Sequence, residues 1–228
     1  MPDCTICTLG FANVPTMQRT FNLVKRLKHT QQWNILDNHY SEESSLWLKC
    51  NQEKYGYTLF DNGYNMGLHD GFNYLLQFVT TSHVLGLDPD TLPMTKGFDL
   101  ELLKHGEDPS NVWVSCFNTH SFSEMRSPAL EGSLLIPSHP VVNSICLWQC
   151  EWLRRVGGVQ EPTKLYGGLE CCMWKYVNQT SLRWVFALNS LEACSNTDLD
   201  LSDEVYKRFK WGHAHQGNPM SWEEFQRS

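Results

Sequence analysis

The chain has 228 residues, of which 41% are hydrophobic and 12% aromatic; that suits one domain with a full core and excludes a disordered chain. A formal net charge of −7 disfavours broad steering onto nucleic acid or an anionic membrane, while leaving room for a local basic patch. No apolar run reaches the roughly 18 residues of a membrane helix, and "MPDCTICTLGFANVP" lacks the basic and long apolar regions of a secretory signal.

In chain order, "CTICTLG" alternates as a short strand does. Its Cys4-x-x-Cys7 has the spacing of half a zinc site, but no second half matches: Cys146 and Cys150 are separated by three residues, and Cys171 and Cys172 are adjacent. Nine scattered cysteines, mostly in apolar segments, read as reduced thiols in a cytoplasmic chain (the host cytoplasm for a viral one). In "MQRTFNLVKRLKH", Met17, Phe21, Val24 and Leu27 recur at helical spacing. "WNIL" reads as a strand ending at Asp37-Asn38. "SEESSLWLKCNQEKYG" opens with acids and stops at Gly56, as a helix does. "YTLF" is a strand ending at Asp61, "HDGFNYLLQFVTT" a helix, "HVLGL" a strand running into Asp88, and "GFDLELLKHG" a helix.

Strand and helix thus alternate in units of about 25 residues, the pattern of a parallel, doubly wound sheet. Ligands of such sheets bind beyond the carboxyl ends of the strands, where Asp37, Asp61 and Asp88 are expected to gather. The second half is less regular. "NVWVSCF", "SICLWQC" and "LRWVFAL" read as strands; "EWLRRVGG", "LECCMWKYV" and "SDEVYKRFK" read as helices. The whole is expected to be a single α/β domain over residues 1–228, with a ligand-binding half at 1–95 and a second half at 96–228.

Asp88-Pro89-Asp90 carries the sharpest chemical signal. Two carboxylates one residue apart repel, and a hard divalent cation, Mg²⁺ or Mn²⁺, would compensate them and draw in a diphosphate. The plainer alternative is a solvated turn.

"NILDNHYSEES", "FDNGYNMGLHDGFNYLL", "VLGLDPDTLP" and "WLRRVGGVQEPTKLYGGLECCMWKYV" follow the order and spacing of motifs in family 2 glycosyltransferases, over roughly residues 30–180. The resemblance implies a GT-A fold: a Rossmann-like, doubly wound mixed sheet flanked by helices. It implies transfer of a hexose or pentose from a nucleotide-diphosphate sugar to an acceptor hydroxyl, with Mn²⁺ or Mg²⁺ and an inverting outcome. Carried over by motif, Asp37 contacts the nucleobase or ribose. Asn65, Gly67 and Asn73 belong to the donor side. Asp88 and Asp90 hold ribose and metal–diphosphate, Glu170 stands in place of the catalytic base, and His213 or His215 completes the metal site. The chain departs from the family pattern in three places: "LGFANVP" replaces P-x-Y-N-x, the D-x-D is D-P-D, and Leu169-Glu170 replaces an E-D pair.

Other classes are weighed against this. The P-loop signature is absent, and "LGFANVP" has no Lys or Arg to cradle a triphosphate, which argues against a nucleotidyltransferase. A non-catalytic module binding a nucleotide-sugar or glycan is the alternative of another class. The expected acceptor is soluble: a glycan, a protein, or a hydroxymethylated base in DNA met by Arg154, Arg155, Lys175, Lys207, Arg208 and Lys210. Trp148, Trp152 and Trp174 lie near the acceptor-side segment and either stack on a ligand or fill the core.

Overall fold

The computed structural model describes residues 3–141, 144–160, 168–194 and Arg227. The first half alternates as its periodicity predicts: β1 (Cys4–Gly10), α1 (Val14–Leu27), β2 (Trp33–Asp37), α2 (Glu42–Tyr55), β3 (Thr58–Asp61), α3 (Gly67–Leu76) and β4 (His83–Leu87). The remainder comprises β5 (Thr91–Pro93), α4 (Phe98–Gly106), β6 (Asn111–Phe117), α5 (Thr119–Glu124), β7 (Ala129–Glu131), β8 (Leu134–Ile136), β9 (Ile145–Gln149), α6 (Cys150–Arg155), α7 (Gly168–Asn178) and β10 (Arg183–Cys194).

Helix ends follow their sequence signals. Asn13 caps α1 by accepting the Thr16 N–H at 3.0 Å, with a proline in the first turn and Lys25 and Arg26 in the last. Ser41 caps α2 by accepting the Ser44 N–H, followed by Glu42 and Glu43, whose charges favour the positive end of the helix dipole.

The sheet runs β3-β2-β1-β4-β9-β6-β10-β8-β7, with β5 paired to β10. Strands β3, β2, β1 and β4 are mutually parallel. Strand β9 then enters antiparallel to both β4 and β6, and β10 lies parallel to β6. The expected parallel order therefore holds for the first four strands, and strands of the second half extend the same sheet as a mixed one. Because β9 reverses the direction twice, β1–β4, β6 and β10 all point their carboxyl ends to one edge.

Core packs on both faces. One cluster joins Leu75 and Leu76 of α3, Trp152 and Leu153 of α6, and Met173 and Val177 of α7 to Cys7, Val84, Trp113, Trp148 and Trp184 of the sheet. The other joins Met17, Phe21 and Val24 of α1, Leu48 and Tyr55 of α2, and Phe98 and Leu102 of α4 to Cys4, Ile6, Leu85, Val114 and Val185. Strand alternation thus sends Cys4 and Cys7 into opposite layers, so they cannot share a metal. Trp113 and Trp184 stack at 4.0 Å, and Phe72 meets Trp148 edge-on at 5.2 Å. Gly86 makes room for that pair: a Cβ there would lie 2.8 Å from the Trp148 ring. Three-residue strands β5, β7 and β8 escape the sequence reading because a segment so short shows no period.

Candidate active site at the carboxyl edge of the sheet

The chain winds outward from β1 to β2 and β3, then returns to β4 on the other side of β1. The gap between the carboxyl ends of β1 and β4 is the switch point at which doubly wound sheets take ligands. Asp88 follows β4 directly. Its N–H donates to the Ser144 carbonyl at 3.2 Å, and its own carbonyl accepts the Thr91 N–H at 3.2 Å. That second bond closes a tight turn around buried Pro89 and presents half-buried Asp88 and Asp90 on its two sides. Proline fixes its own φ and rigidifies the turn.

Asp37, at the end of β2, is fully buried. Its Oδ1 accepts the His39 N–H and the Ser45 hydroxyl, each at 3.0 Å, while its Oδ2 has no hydrogen-bond partner. A buried acceptor left unpaired costs about 1–3 kcal/mol, a cost that a ligand N–H or O–H would remove. The neighbouring loop is tied to this corner by asparagines. Asn38 accepts the Met66 N–H at 2.8 Å and donates to the Gly67 carbonyl at 3.3 Å, and Asn65 accepts the Gly67 N–H at 2.8 Å. The Asn65 side-chain nitrogen is a second buried polar atom lacking a partner.

His39 sits in the left-handed region at φ 53°, a conformation uncommon outside glycine. Its Nε2 meets Asp61 Oδ1 at 2.8 Å, and Lys49 reaches Asp61 Oδ2 at 3.2 Å. Partial burial pushes the Asp61 carboxyl up, but the Gly63 N–H, His39 and Lys49 together outweigh it and hold the group below its ordinary value. Asp37, His39 and Asp61 are the described residues whose ligand atoms come within 4.8 Å of one another as a three-membered group. His39 and Lys49 already compensate Asp61 there.

The second half of the chain is fastened to the first. Asn73 of α3 accepts the Val159 N–H at 2.8 Å and donates to the Val159 carbonyl at 2.9 Å, so its amide joins the first half of the chain to the turn after α6. Glu170 lies buried in the first turn of α7. Burial first, then the negative charges of Asp88, Glu192 and Glu170, pushes the Cys146 thiol well above its ordinary value. Three acids, Asp88 from the first half and Glu192 and Glu170 from the second, thus act on the Cys146 thiol of β9 through their charge. The third member, Glu192, is a buried carboxylate on β10 that the sequence does not single out. It stands alone in an apolar strand, and only tertiary partners give it meaning.

The other sequence candidates separate clearly. Trp148 and Trp152 are buried in the core, and Trp174 packs against it, edge-on to Trp184 at 5.9 Å. Arg154 donates to the Val79 carbonyl, and Arg155 pairs with Glu151 at 2.8 Å. His213 and His215, with Lys207, Arg208 and Lys210, lie outside the described residues. Cavities of about 450 and 610 Å³ open at the opposite, amino end of the strands, beside Cys4 and Thr30 and beside Trp33 and Thr58. They contain none of the strand-end acids.

No protein-family model and no curated protein matches the chain. Solved structures do. The mannosyltransferase PcManGT from Pyrobaculum calidifontis, in complex with GDP-Man and Mn²⁺, matches with a TM-score of 0.69 at 14% identity, over 91% of this chain and 63% of that one. GalNAc-T7 with UDP, GalNAc and Mn²⁺ matches with a TM-score of 0.66 at 10% identity, over 84% of this chain and 43% of that one. This is a GT-A-type, glycosyltransferase-like fold. TarS 1–349 from S. aureus, in complex with UDP-GlcNAc, has the same fold at 10% identity, with a TM-score of 0.60 over 83% of this chain and 57% of that one. The chain spans 43% to 63% of these three relatives' lengths.

Within the GT-A frame, the Asp88-Pro89-Asp90 turn offers only oxygen donors. Two carboxylates in a closed turn suit a hard divalent cation and leave positions for water and phosphate oxygens. Among the described residues, no helix is long and apolar enough to cross a membrane.

Proposed function

We propose that the protein is a nucleotide-sugar-dependent glycosyltransferase. One observation carries the reading: a closed turn carries Asp88 and Asp90 at the switch point of a sheet whose fold is GT-A-type. The unpaired buried oxygen of Asp37 supports it, because a nucleobase N–H or ribose O–H supplies the missing donor. Asn65 and Gly67 shape the loop beside that oxygen. Asn73 acts at one remove, by fastening the acceptor-side turn to α3.

Asp88 and Asp90 would hold Mn²⁺ or Mg²⁺, which supplies neutralisation of the charge that builds on a leaving diphosphate. Glu170 accepts the proton of the acceptor hydroxyl as that oxygen bonds to the anomeric carbon. The anomeric carbon–phosphate oxygen bond breaks, and its electron pair leaves with the nucleoside diphosphate. Direct displacement by one base-activated hydroxyl inverts the anomeric centre. The helix dipole at the start of α7 favours the charged carboxylate that this role needs.

Two variants test the reading. Asp90→Ala is expected to abolish cation-dependent stabilisation by nucleotide-sugars in a thermal-shift screen of UDP- and GDP-linked donors. Glu170→Gln is expected to keep that stabilisation while lowering transfer at least a hundredfold. Identical shifts with and without chelator in the unmodified protein would defeat the cation's role, and full transfer by the Glu170 variant would defeat the base. Donor binding without transfer or donor hydrolysis in the unmodified protein would favour the non-catalytic module.

A further inference from the structure

Glu192 is buried, and among the described residues no Lys, Arg or His pairs with it. Three N–H donors hold it instead. Its Oε1 accepts the Asn118 side-chain N–H at 2.6 Å and the Ser144 backbone N–H at 3.4 Å, and its Oε2 accepts the Ile145 N–H at 2.8 Å. The same Ser144 accepts the Asp88 N–H on its carbonyl. On the other side, Glu192 lies opposite Pro93 in the β5–β10 ladder, two positions before Cys194 pairs with Thr91, and Thr91 closes the Asp88 turn. A closed mechanical circuit results: from Glu192 through β10 to Thr91, through the turn to Asp88, through Ser144, and back to the Glu192 carboxylate.

A carboxylate here is costly. Burial pushes its carboxyl up to about 7 even though all three donors favour the charged form. A hydrophobic residue would fill the space without that penalty, but it would leave the Ser144 and Ile145 N–H groups unpaired and the start of β9 untethered. The cost is understandable if the position of Ser144, and hence of Asp88, must be fixed closely.

We propose that Glu192 is a positioning residue that sets the Asp88-Pro89-Asp90 turn for divalent-cation binding. The proposal rests on reading that turn as the cation site. Glu192 does not touch the cation; it fixes the peptide on which Asp88 hangs. Groups bonded directly to a metal's ligands change its affinity about 10- to 100-fold when they are lost; Glu192 acts one peptide further out, so the lower end of that range is expected.

The experiment measures Mn²⁺ binding to the full chain, with Mn²⁺ as the sole probe, by electron paramagnetic resonance of the free ion. Folding and thermal midpoint are followed in parallel. The matched structural control is Asp99→Asn. Asp99 is another fully buried carboxylate, which accepts the His29 N–H at 2.8 Å and the Thr30 N–H at 2.6 Å and takes no part in the circuit through Ser144 and Thr91. Glu192→Gln is expected to weaken Mn²⁺ binding about tenfold or more, whereas Asp99→Asn lowers the midpoint and leaves Mn²⁺ affinity unchanged. Glu192→Asp keeps the charge but draws it back by one methylene, and is expected to weaken Mn²⁺ binding as well. If Glu192→Gln does not fold, Glu192→Asp decides alone. Equal affinity losses in Glu192→Gln and Asp99→Asn would overturn the proposal, as would full affinity in Glu192→Asp. Asp90→Ala keeps the two levels distinct. Mn²⁺ binding that survives in Asp90→Ala, or is absent from the unmodified protein, overturns the cation reading itself and the role of Glu192 with it.

Discussion

At the residue scale, the site is built from carboxylates whose surroundings push them in opposite directions. Asp61, partly exposed and held by Gly63, His39 and Lys49, sits below its ordinary value. Its contribution to stability is present at neutral pH and is lost as the solution becomes acid. Glu192, buried away from any described cation, rises from 4.5 to about 7. The unfolded chain therefore releases this proton first as pH rises. The contribution of Glu192 is fully present below about 4.5 and is lost as pH climbs through about 7, by about 3 kcal/mol. Subtracting the stability curve of Glu192→Gln from that of the unmodified protein cancels Asp61 and every other unaltered group. Urea unfolding across this range is expected to give a difference that declines with pH. A flat difference would mean that Glu192 is charged in the native state throughout. Neither environment can be read from the sequence, where "SLEAC" shows a single acid in a strand and nothing of the Asn118, Ser144 and Ile145 groups that converge on it.

At the element scale, what the sequence reveals depends on length and on caps. Helix α1 is legible three times over: in the spacing of Met17, Phe21 and Val24, in Asn13 with its nearby proline, and in the basic last turn. Strands β1, β2 and β4 are legible because each is buried on both faces and ends at a turn signal. By contrast, β5 is three residues long and exists only because β10 continues past its pairing with β6 to reach it. The β7–β8 hairpin is hidden for the same reason. The cap of α1 offers a direct check on local reasoning. Asn13→Ala removes the acceptor for the Thr16 N–H and is expected to cost about 1 kcal/mol, or about 2–4 °C in the thermal midpoint of a chain this size. A midpoint unchanged within error would show that tertiary packing, and not the cap, fixes where α1 begins.

At the scale of the whole molecule, the strand-end places of Asp37, Asp61 and Asp88 are legible because they follow from the alternation of strand and helix, whereas the join between the two halves is not. Asn73 illustrates this. The motif places it on the donor side, yet its amide is engaged with Val159, from the second half of the chain. The turn it holds contains Gly158 at φ +87°, a conformation that side-chain-bearing residues rarely adopt, and a Cβ at Gly158 would collide with the Asn73 amide. Gly158→Ala should therefore incur two costs in the native background: the backbone strain, and the displacement of Asn73 from Val159. In an Asn73→Ala background only the strain remains. The two substitutions are thus expected to be non-additive by about 1 kcal/mol in urea unfolding, with the double variant more stable than the sum of the singles implies. Strict additivity would mean that the clamp transmits nothing between the halves. If the coupling is present, loosening this clamp should also slow transfer while leaving Mn²⁺ binding at the Asp88 turn intact, because Asn73 holds Val159, from the same half as Glu170, and takes no part in the Glu192 circuit.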